Sequence, residues 1–148
     1  MSGPRHPTLP ADVQQALSRG GFVEITTTGR NTKLPRRIPI VFHVIGGRIV
    51  ISGMPSHRKR SWLANVEADP RMTLHLVRGV RADLPARARV ITDEAERREL
   101  LAHVAHAWRR DDLDVMFRYS PLIEVDLDDT GVQLPAGPAA VDRAAARS

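Results

Sequence analysis

The sequence predicts a mainly β (α+β) fold, an antiparallel barrel of about six strands with helices outside it. The first sign is the Gly46-Gly47 pair between two runs rich in β-branched residues, because two-residue hairpin turns need the positive φ that glycine adopts without strain. The second is that β segments follow one another at hairpin-like spacing, with no regular βαβ alternation. The third is size, since 148 residues without an internal repeat suit one domain.

At the N-terminus, residues 1–10 hold three prolines and little apolar content, so we expect a mobile arm. Apolar residues recur at helical spacing over Ala11–Arg19, and Gly20-Gly21 then ends this helix. Phe22–Thr28 is rich in β-branched residues and predicts the first strand. It leads into a loop over Gly29–Leu34.

The hairpin joins two predicted strands, Arg36–Ile45 and Arg48–Gly53. If Ile45 faces Arg48, the alternation of side chains builds one apolar face suited to a core. That face pairs Val44 with Ile49, Phe42 with Ile51 and Ile40 with Gly53. The opposite face, where we place the functional site, carries a smaller and more mixed set: Pro39, Val41, His43, Val50 and Ser52.

After the hairpin, Ser56 is the predicted N-cap of a helix whose apolar residues share one side. Asp69-Pro70 ends this helix, because the residue before proline avoids the α region. Residues 72–77 alternate as a fourth strand. Residues 80–91 predict a long fifth strand in which Pro85 marks an edge or a bulge.

The last elements are two helices and a strand. Asp93 and Glu96 have the spacing of a capping box at the start of a helix whose apolar residues recur as far as Trp108. A short helix around residues 113–117 and a strand over residues 123–127 follow. From residue 129 onward alanine, glycine, proline and arginine dominate, so we expect a flexible tail over 129–148 and a single domain over 11–128.

Composition limits the partners and the location. A formal charge of +5 indicates an anionic partner, while an aromatic content of 4% leaves few stacking platforms for nucleic acid. No run of about 18 apolar residues is present, and residues 1–10 lack the apolar region of a signal peptide. We therefore expect a cytoplasmic protein without stable membrane insertion. Abundant alanine, with two lysines among 22 basic residues, is typical of GC-rich, for example actinobacterial, genomes.

Two basic clusters flank the hairpin. The first consists of Arg30, Lys33, Arg36 and Arg37, and the second of His57, Arg58, Lys59 and Arg60. A solvated charged surface is the alternative interpretation of both. The second cluster falls on the first turn of the helix predicted after Ser56, where free N–H groups and the helix dipole favour an anion.

Other chemistries lack their usual residues. The chain has no cysteine and no G-x-S-x-G motif, so no nucleophile is predicted. His103 and His106 lie on one face of the predicted helix, but a third ligand with suitable spacing is not visible, so no metal site is predicted.

Four motifs occur in order between Val23 and Thr92: TTTGRNT, PRRIPIVFH, the GGR turn and WLANVEADP. Together they resemble the deazaflavin-dependent nitroreductase family, whose members are split β-barrel flavin or deazaflavin oxidoreductases. The resemblance implies a split barrel and two basic loops that hold the phosphate and the oligoglutamate tail of coenzyme F-420. Lys33 stands where the family shows glycine, and Val41 stands where a tyrosine often contacts substrate.

The resemblance also implies a set of cofactor-binding residues. These are Arg30, Thr32, Lys33, Arg36, Pro39, Val41, Gly53, Met54, Arg58, Lys59, Arg60, Trp62 and Asn65. Pro39 and Val41 match positions beside the deazaflavin ring. The candidate proton donors are Ser52, His43 and Tyr119, although His43 and His75 also suit structural histidines with satisfied ring nitrogens.

The implied function is reduction of a quinone, a nitro compound or an activated enone, with hydride from reduced coenzyme F-420. The cofactor supplies the hard chemistry, and the protein positions the ring, binds its phosphate and excludes water. One alternative is the same fold with FMN, and another is a non-enzymatic barrel that holds a lipid, haem or a cofactor. The partner is a small electrophilic acceptor, and the chain allows a homodimer.

Overall fold

The computed structural model describes residues 9–128, in which six strands close into one antiparallel barrel. The strands are β1 (Gly21–Thr28), β2 (Pro35–Ile45), β3 (Arg48–Ser52), β4 (Arg71–Leu76), β5 (Ala82–Val90) and β6 (Leu122–Leu127). The helices are α1 (Ala11–Arg19), α2 (Ser61–Ala68), α3 (Glu94–Ala107) and α4 (Leu113–Tyr119). Neighbouring strands follow the order β1-β2-β3-β6-β5-β4, with β4 paired to β1. The predicted barrel with peripheral helices is confirmed.

The barrel interior is filled by one apolar cluster to which all six strands contribute. Alternate residues point inward, so β-branched and aromatic side chains such as Ile25, Phe42 and Ile123 are almost fully buried. Burial of each such side chain stabilises the fold by roughly 1.5–3 kcal/mol. α1 and α2 add Leu17 and Trp62 to the same cluster. Within the described residues, no helix has both the length and the apolar character needed to cross a bilayer.

The hairpin has the predicted register. Ile45 pairs with Arg48, Val44 with Ile49 and Phe42 with Ile51. Gly46 and Gly47 have φ of 59° and 79°, which is the positive range that the turn requires. The fourth predicted pair is wrong, because β3 ends at Ser52 and Gly53 begins the following loop.

The outer face of the hairpin is only partly open. α3 and α4 cover its turn end, where Val50 and Ile45 pack against Leu101, Val104 and Met116. The face on which we placed the functional site is therefore a helix interface near the turn. At the other end of β2, Pro39 and Val41 remain exposed.

α2 begins four residues later than predicted, so Ser56 is not its N-cap. The Ser56 hydroxyl accepts a hydrogen bond from the Arg58 N–H at 3.1 Å, a local turn that competes with helix formation. Its own N–H donates to the Tyr119 carbonyl at 3.1 Å. Arg60 occupies the N-cap position without a side-chain cap. The second basic cluster therefore lies in the loop before α2, not on its first turn.

Pro85 lies inside β5, at the margin of one ladder. Its carbonyl accepts from the Asp128 N–H at 2.9 Å, beyond the last β5–β6 strand pair, Ala86 with Leu127. The missing proline N–H thus falls where the β6 ladder ends. Towards β6, Pro85 thus lies at the end of the strand pairing, as the predicted edge position requires. Towards β4 it does not, because it pairs there with Thr73.

The domain is packed from Leu9 onward, which is earlier than predicted. Leu9 is 4% exposed and joins the core, and its carbonyl accepts from the Gln14 side chain at 2.7 Å. Leu9 and Pro10 therefore do not belong to a mobile arm. The rest of the expected arm and the expected tail over 129–148 lie outside the described residues.

α3 is attached to the barrel by ionic hydrogen bonds. Asp93 caps the helix by accepting from the Glu96 N–H at 2.9 Å, but the Glu96 carboxylate does not complete the predicted capping box. It binds Arg48 of β3 and Arg89 of β5 instead. Both arginines also bind Glu124 of β6, at 3.1 and 2.6 Å. One network therefore connects three strands with the first turn of α3.

The network shifts the titration of its carboxyl groups. Hydrogen bonds from Arg89 and Arg48 lower the pKa of Glu96 from 4.5 to about 2. Burial alone would raise the pKa of Glu124, but hydrogen bonds from Arg48 and Arg89 outweigh it, and the net shift is downward. Because the folded-state pKa values are lowered, the stability that these groups contribute is present above their unfolded pKa and is lost in acid.

We expect the free energy of unfolding to fall as the pH decreases from 4.5 towards about 2, the unfolded and folded pKa values of Glu96. The substitution Glu96→Gln should make this loss shallower, since the glutamine does not titrate. Urea unfolding curves across this pH range provide the measurement. Glu94→Gln is the matched control, because Glu94 is exposed in the same helical turn. Equal slopes for Glu96→Gln and the parent chain would contradict the role of the network.

Candidate functional site

Both basic loops lie at the same end of the barrel. Because neighbouring strands run in opposite directions, the end of β1 and the start of β2 lie beside the ends of β3 and β5. Residues 29–34, called loop 1, connect β1 to β2, and residues 53–60, called loop 2, connect β3 to α2. α2 covers this end of the barrel and packs between the two loops.

Loop 1 is closed by its own hydrogen bonds. The Gly29 N–H donates to the Leu34 carbonyl at 2.8 Å, and the Lys33 N–H donates to the Gly29 carbonyl at 2.8 Å. A Cβ on Gly29 would lie 2.6 Å from the Thr32 hydroxyl, so this position requires glycine. Lys33 has φ of 64°, a left-handed conformation that glycine adopts more easily. The departure from glycine noted in the sequence therefore falls on a strained residue.

Asn65 of α2 positions loop 1. The residue is 3% exposed, and its Nδ2 donates to the Thr27 hydroxyl of β1 at 3.1 Å. Its Oδ1 accepts from the Arg30 backbone N–H at 3.1 Å and from the Arg30 guanidinium at 3.2 Å. One buried amide thus connects the helix, the strand and the first cationic side chain of the loop.

A groove of about 220 Å³ opens between loop 1 and α2. This loop 1 groove is lined by Thr27, Gly29, Arg30, Asn31, Thr32, Arg36, Ile38, Ser61, Trp62 and Asn65. It brings together five of the residues implied for the cofactor: Arg30, Thr32, Arg36, Trp62 and Asn65. Lys33 does not line it, and Arg37 instead forms an ion pair with Glu24 at 2.5 Å.

The donors of the loop 1 groove fit a phosphate group. The lining holds two guanidinium groups, the hydroxyl groups of Thr27, Thr32 and Ser61, and no carboxylate. Within residues 9–128, the Arg36 side chain has no hydrogen-bond or ion-pair partner, while Arg30 is fixed by Asn65. Planar guanidinium groups form charge-assisted, often bidentate, hydrogen bonds with phosphate oxygens.

A second groove, of about 420 Å³, lies between α2 and α4. This α2–α4 groove is lined by Ser56, His57, Arg58, Lys59, Arg60, Leu63, Glu67, Val90, Ile91, Thr92, Arg97, Phe117, Arg118, Tyr119, Ser120 and Pro121. Ser61 and Asn65 face the loop 1 groove, whereas Leu63 and Glu67 face this one, since helical residues four apart share a side. The two basic loops therefore line different grooves, on opposite sides of α2.

Gly53 and Met54 lie in loop 2 but line neither groove. A Cβ on Gly53 would lie 3.1 Å from the Arg60 guanidinium carbon, which shows that this side chain crosses the loop backbone. Met54 is exposed, and its sulfur accepts from the Arg110 guanidinium at 3.3 Å. Glycine at position 53 therefore makes room for Arg60.

The three candidate proton donors lie in different surroundings. Ser52 is buried, and its hydroxyl donates to the Pro121 carbonyl at 2.7 Å. His43 packs against Trp108 with 5.3 Å between ring centroids, and burial lowers its pKa. Tyr119 is exposed at the rim of the α2–α4 groove. Tyr119 lines the α2–α4 groove, whereas Ser52 and His43 line neither this groove nor the loop 1 groove.

The two strand histidines differ in their hydrogen bonds. His75 is satisfied as expected, with 2.7 Å contacts from its ring nitrogens to the Thr26 hydroxyl and the Asp83 carboxylate. Burial lowers its pKa more than Asp83 raises it. For His43 the expectation of satisfied nitrogens is wrong, because its buried Nε2 has no partner within residues 9–128.

Sequence reasoning missed several residues of the α2–α4 groove, among them Arg97 and Ser120. Arg97 lies in the charged run EAERRE, which is typical of a solvated helix face. Ser120 lies between a helix and a strand, where serine is common. Thr27 of the loop 1 groove was also missed, although its inward position follows from the alternation with Val23 and Ile25.

A family model described as F420H(2)-dependent quinone reductase matches residues 8–115. Among solved structures, one titled "F420 Reductase" has a TM-score of 0.63 at 12% identity, covering 81% of this chain and 96% of its own. One titled "F420-H2 Dependent Reductase (FDR-A)" has a TM-score of 0.56 at 22% identity, covering 72% and 94%.

The same fold also occurs in a protein of another kind. HutZ of Vibrio cholerae, described as a heme storage protein, has a TM-score of 0.61 at 13% identity, covering 81% of this chain and 90% of its own. At such identities the likeness to a solved structure shows the fold alone, and one fold hosts several functions. The match to the family model is therefore the finding that bears on activity.

The Asn65 hydrogen bonds lead to a stability prediction. Asn65→Ala should lower the free energy of unfolding by roughly 1–3 kcal/mol, because it leaves the Thr27 hydroxyl and the Arg30 N–H unpaired. Asn31→Ala is the control, since Asn31 is exposed in the same loop, and should change stability by less than about 0.5 kcal/mol. Urea unfolding and hydrogen exchange at the Arg30 amide measure both effects. Equal losses in the two variants would contradict the anchoring role.

Proposed function

Because the chain belongs to the F420H(2)-dependent quinone reductase family, we propose that it binds coenzyme F-420 at the barrel end that carries loops 1 and 2. Membership of this family makes the chain an oxidoreductase. When bound, the reduced coenzyme supplies a hydride for a small electrophilic acceptor, such as a quinone. The observation that carries the proposal is the loop 1 groove, whose donors include two guanidinium groups and whose lining has no carboxylate.

Arg30 and Arg36 hold the phosphate in this proposal. Asn65 fixes Arg30 before any ligand arrives, so little side-chain entropy is lost when the guanidinium binds an anion. Arg36 has no partner to give up within the described residues. The Thr32 hydroxyl, which accepts from the Leu34 N–H at 3.2 Å, adds a donor at the rim.

Loop 2 holds the acidic tail. Ser61 lines the loop 1 groove and the preceding residue, Arg60, lines the α2–α4 groove, so the two grooves approach each other at the N-terminus of α2. We assign Arg58, Lys59 and Arg60 to the carboxylates of the oligoglutamate tail. Lys59 is exposed, and among residues 9–128 it pairs only with Glu67, at 2.7 Å. A ligand can replace this surface ion pair at little cost.

The ring and the acceptor lie on the exposed part of β2. Pro39 and Val41 form a small apolar surface there, and Val41 is 40% exposed. Trp62 supports the groove from the barrel side and is almost fully buried. Of the three candidate donors, Tyr119 is the exposed one and lines a groove, so we assign the proton for the reduced acceptor to Tyr119 Oη. Gly53 and Met54 take no direct role in this arrangement.

The function is tested by titration and turnover. We expect coenzyme F-420 to bind more tightly than FMN, because two basic loops exceed what a single phosphate requires. We also expect reduced F-420 to reduce a simple quinone more rapidly than a bulky bicyclic nitro compound, since Val41 offers no polar group to orient a large acceptor. Calorimetry and absorbance at saturating cofactor provide the measurements. Equal or tighter binding of FMN would overturn the cofactor assignment.

Arginine substitutions test which side chains bind the cofactor. Arg36→Ala should lower the affinity for the tailed and the tailless coenzyme equally, by roughly 10- to 150-fold, because it removes a charge-assisted hydrogen bond to the phosphate. Arg58→Ala should weaken the tailed form more than the tailless one. Fluorescence titration at two salt concentrations measures these affinities. Arg87→Ala, which removes an exposed charge outside both grooves, is the control. Parent-like binding by both groove variants would show that the loops are only solvated surface.

Three features of the protein stay predictions. They are the cytoplasmic location, the actinobacterial source and the homodimer. Which of quinones, nitro compounds and activated enones is the natural acceptor is likewise part of the proposal, and the turnover experiment above compares the first two.

A further inference from the structure

We propose that the floor of the α2–α4 groove is an anion site of its own, in which Arg97 and Ser120 bind the carboxylate or phosphate group of a small molecule. These residues belong to α3 and to the segment between α4 and β6. They lie on the other side of α2 from Arg30 and Arg36. The inference therefore does not depend on the loop 1 groove.

Arg97 is a half-buried cation that faces carbonyl groups instead of a carboxylate. Its Nη1 donates to the Ile91 carbonyl at 3.2 Å, and its Nη2 donates to the Phe117 and Ser120 carbonyls at 2.6 and 3.0 Å. Within residues 9–128 it has no ion-pair partner, and burial lowers its pKa. Buried charges are normally paired, so an anion in the groove would supply the missing partner.

Ser120 is the second, independent observation. The residue is 4% exposed, and its hydroxyl is buried without a hydrogen-bond partner in the described part of the chain. Such groups are rare in folded proteins and call for an explanation, such as a ligand. The Ser120 carbonyl accepts from the Arg97 guanidinium, and both residues line the groove. Both can donate to the same anionic group.

The walls of the groove indicate the rest of the ligand. Arg58, Arg60 and Arg118 add positive charge, and the single carboxylate of the lining, Glu67, is already paired with Lys59. Phe117 and Tyr119 supply aromatic surface, and the Tyr119 ring lies 4.4 Å from that of His57. The matching ligand therefore combines an anionic group with a flat apolar body, as an aromatic carboxylate or an aryl phosphate does.

The binding test uses the full chain without any coenzyme. Benzoate is the first probe, benzamide is its neutral counterpart of similar shape, and inorganic phosphate tests the anionic group alone. NMR titrations at constant ionic strength should show benzoate and phosphate shifting the amide signals of Arg97, Tyr119 and Ser120, while benzamide should not.

Ser120→Ala is the decisive variant. It removes a hydroxyl that has no partner among residues 9–128, so the fold should keep its stability while the affinity for benzoate falls roughly tenfold. Arg97→Lys keeps the charge but loses the planar guanidinium group, so it should also lower the affinity for benzoate. Arg36→Ala, in the other groove, should bind benzoate like the parent. Urea unfolding curves of each variant separate loss of binding from loss of structure.

The natural anion can come from the acidic tail of the proposed cofactor or from a separate molecule, such as the acceptor. Competition between benzoate and F-420 distinguishes these two sources. If the tail binds in this groove, benzoate should lower the affinity for the tailed coenzyme but not the affinity for the tailless one. If benzoate changes neither affinity, the groove serves a separate ligand. Either result of this competition requires that benzoate binds in the α2–α4 groove.

Two results would overturn the inference. One is benzoate affinity in Ser120→Ala equal to that of the parent chain, with intact unfolding behaviour. The other is a set of shifts confined to loop 1, which would place the anion in the groove already assigned. Failure of F-420 to bind would leave the benzoate result standing, so the two proposals fail separately.

Discussion

The buried amide of Asn65 is the interaction on which the functional end of the barrel depends. It satisfies the Thr27 hydroxyl inside the barrel and two donors of Arg30, so it connects α2, β1 and loop 1. Leaving any of these groups unpaired in a buried setting would cost more than the net value of one hydrogen bond. The position of Arg30, and with it the shape of the loop 1 groove, follows from this single side chain.

α2 divides the functional end of the barrel into two grooves, whose cationic side chains are held in different ways. In the loop 1 groove, Asn65 fixes Arg30, while Arg36 has no side-chain partner in the part of the chain that the structure describes. In the α2–α4 groove, exposed cations of loop 2 surround a floor whose cation, Arg97, is held by carbonyl oxygens. The positive charge of the chain is thus concentrated beside two cavities, where it can attract anionic ligands and orient them.

The helices on the outside of the barrel define the limits of the site. α3 and α4 cover the turn end of the hairpin, where His43 packs against Trp108, and Ser52 is buried at the other end of β3 beside Pro121. The Arg48, Arg89, Glu96 and Glu124 network holds α3 in this position. The hydrogen bond from the Ser56 N–H to the Tyr119 carbonyl then connects loop 2 to the end of α4. The α2–α4 groove exists because these distant segments meet.

The sequence by itself determined the barrel, the hairpin register and the residues of loop 1. These features depend on local patterns, since Gly46-Gly47 sets the turn, alternation sets the faces, and Arg30, Thr32 and Arg36 follow one another on one loop and its adjoining strand. Only the tertiary structure decided where α2 begins, on which side of it each basic loop lies, and that Arg97 and Ser120 form a groove floor. Those outcomes depend on contacts between residues far apart in the chain, such as Ser56 with Tyr119, and no local pattern encodes which distant segments will pack together.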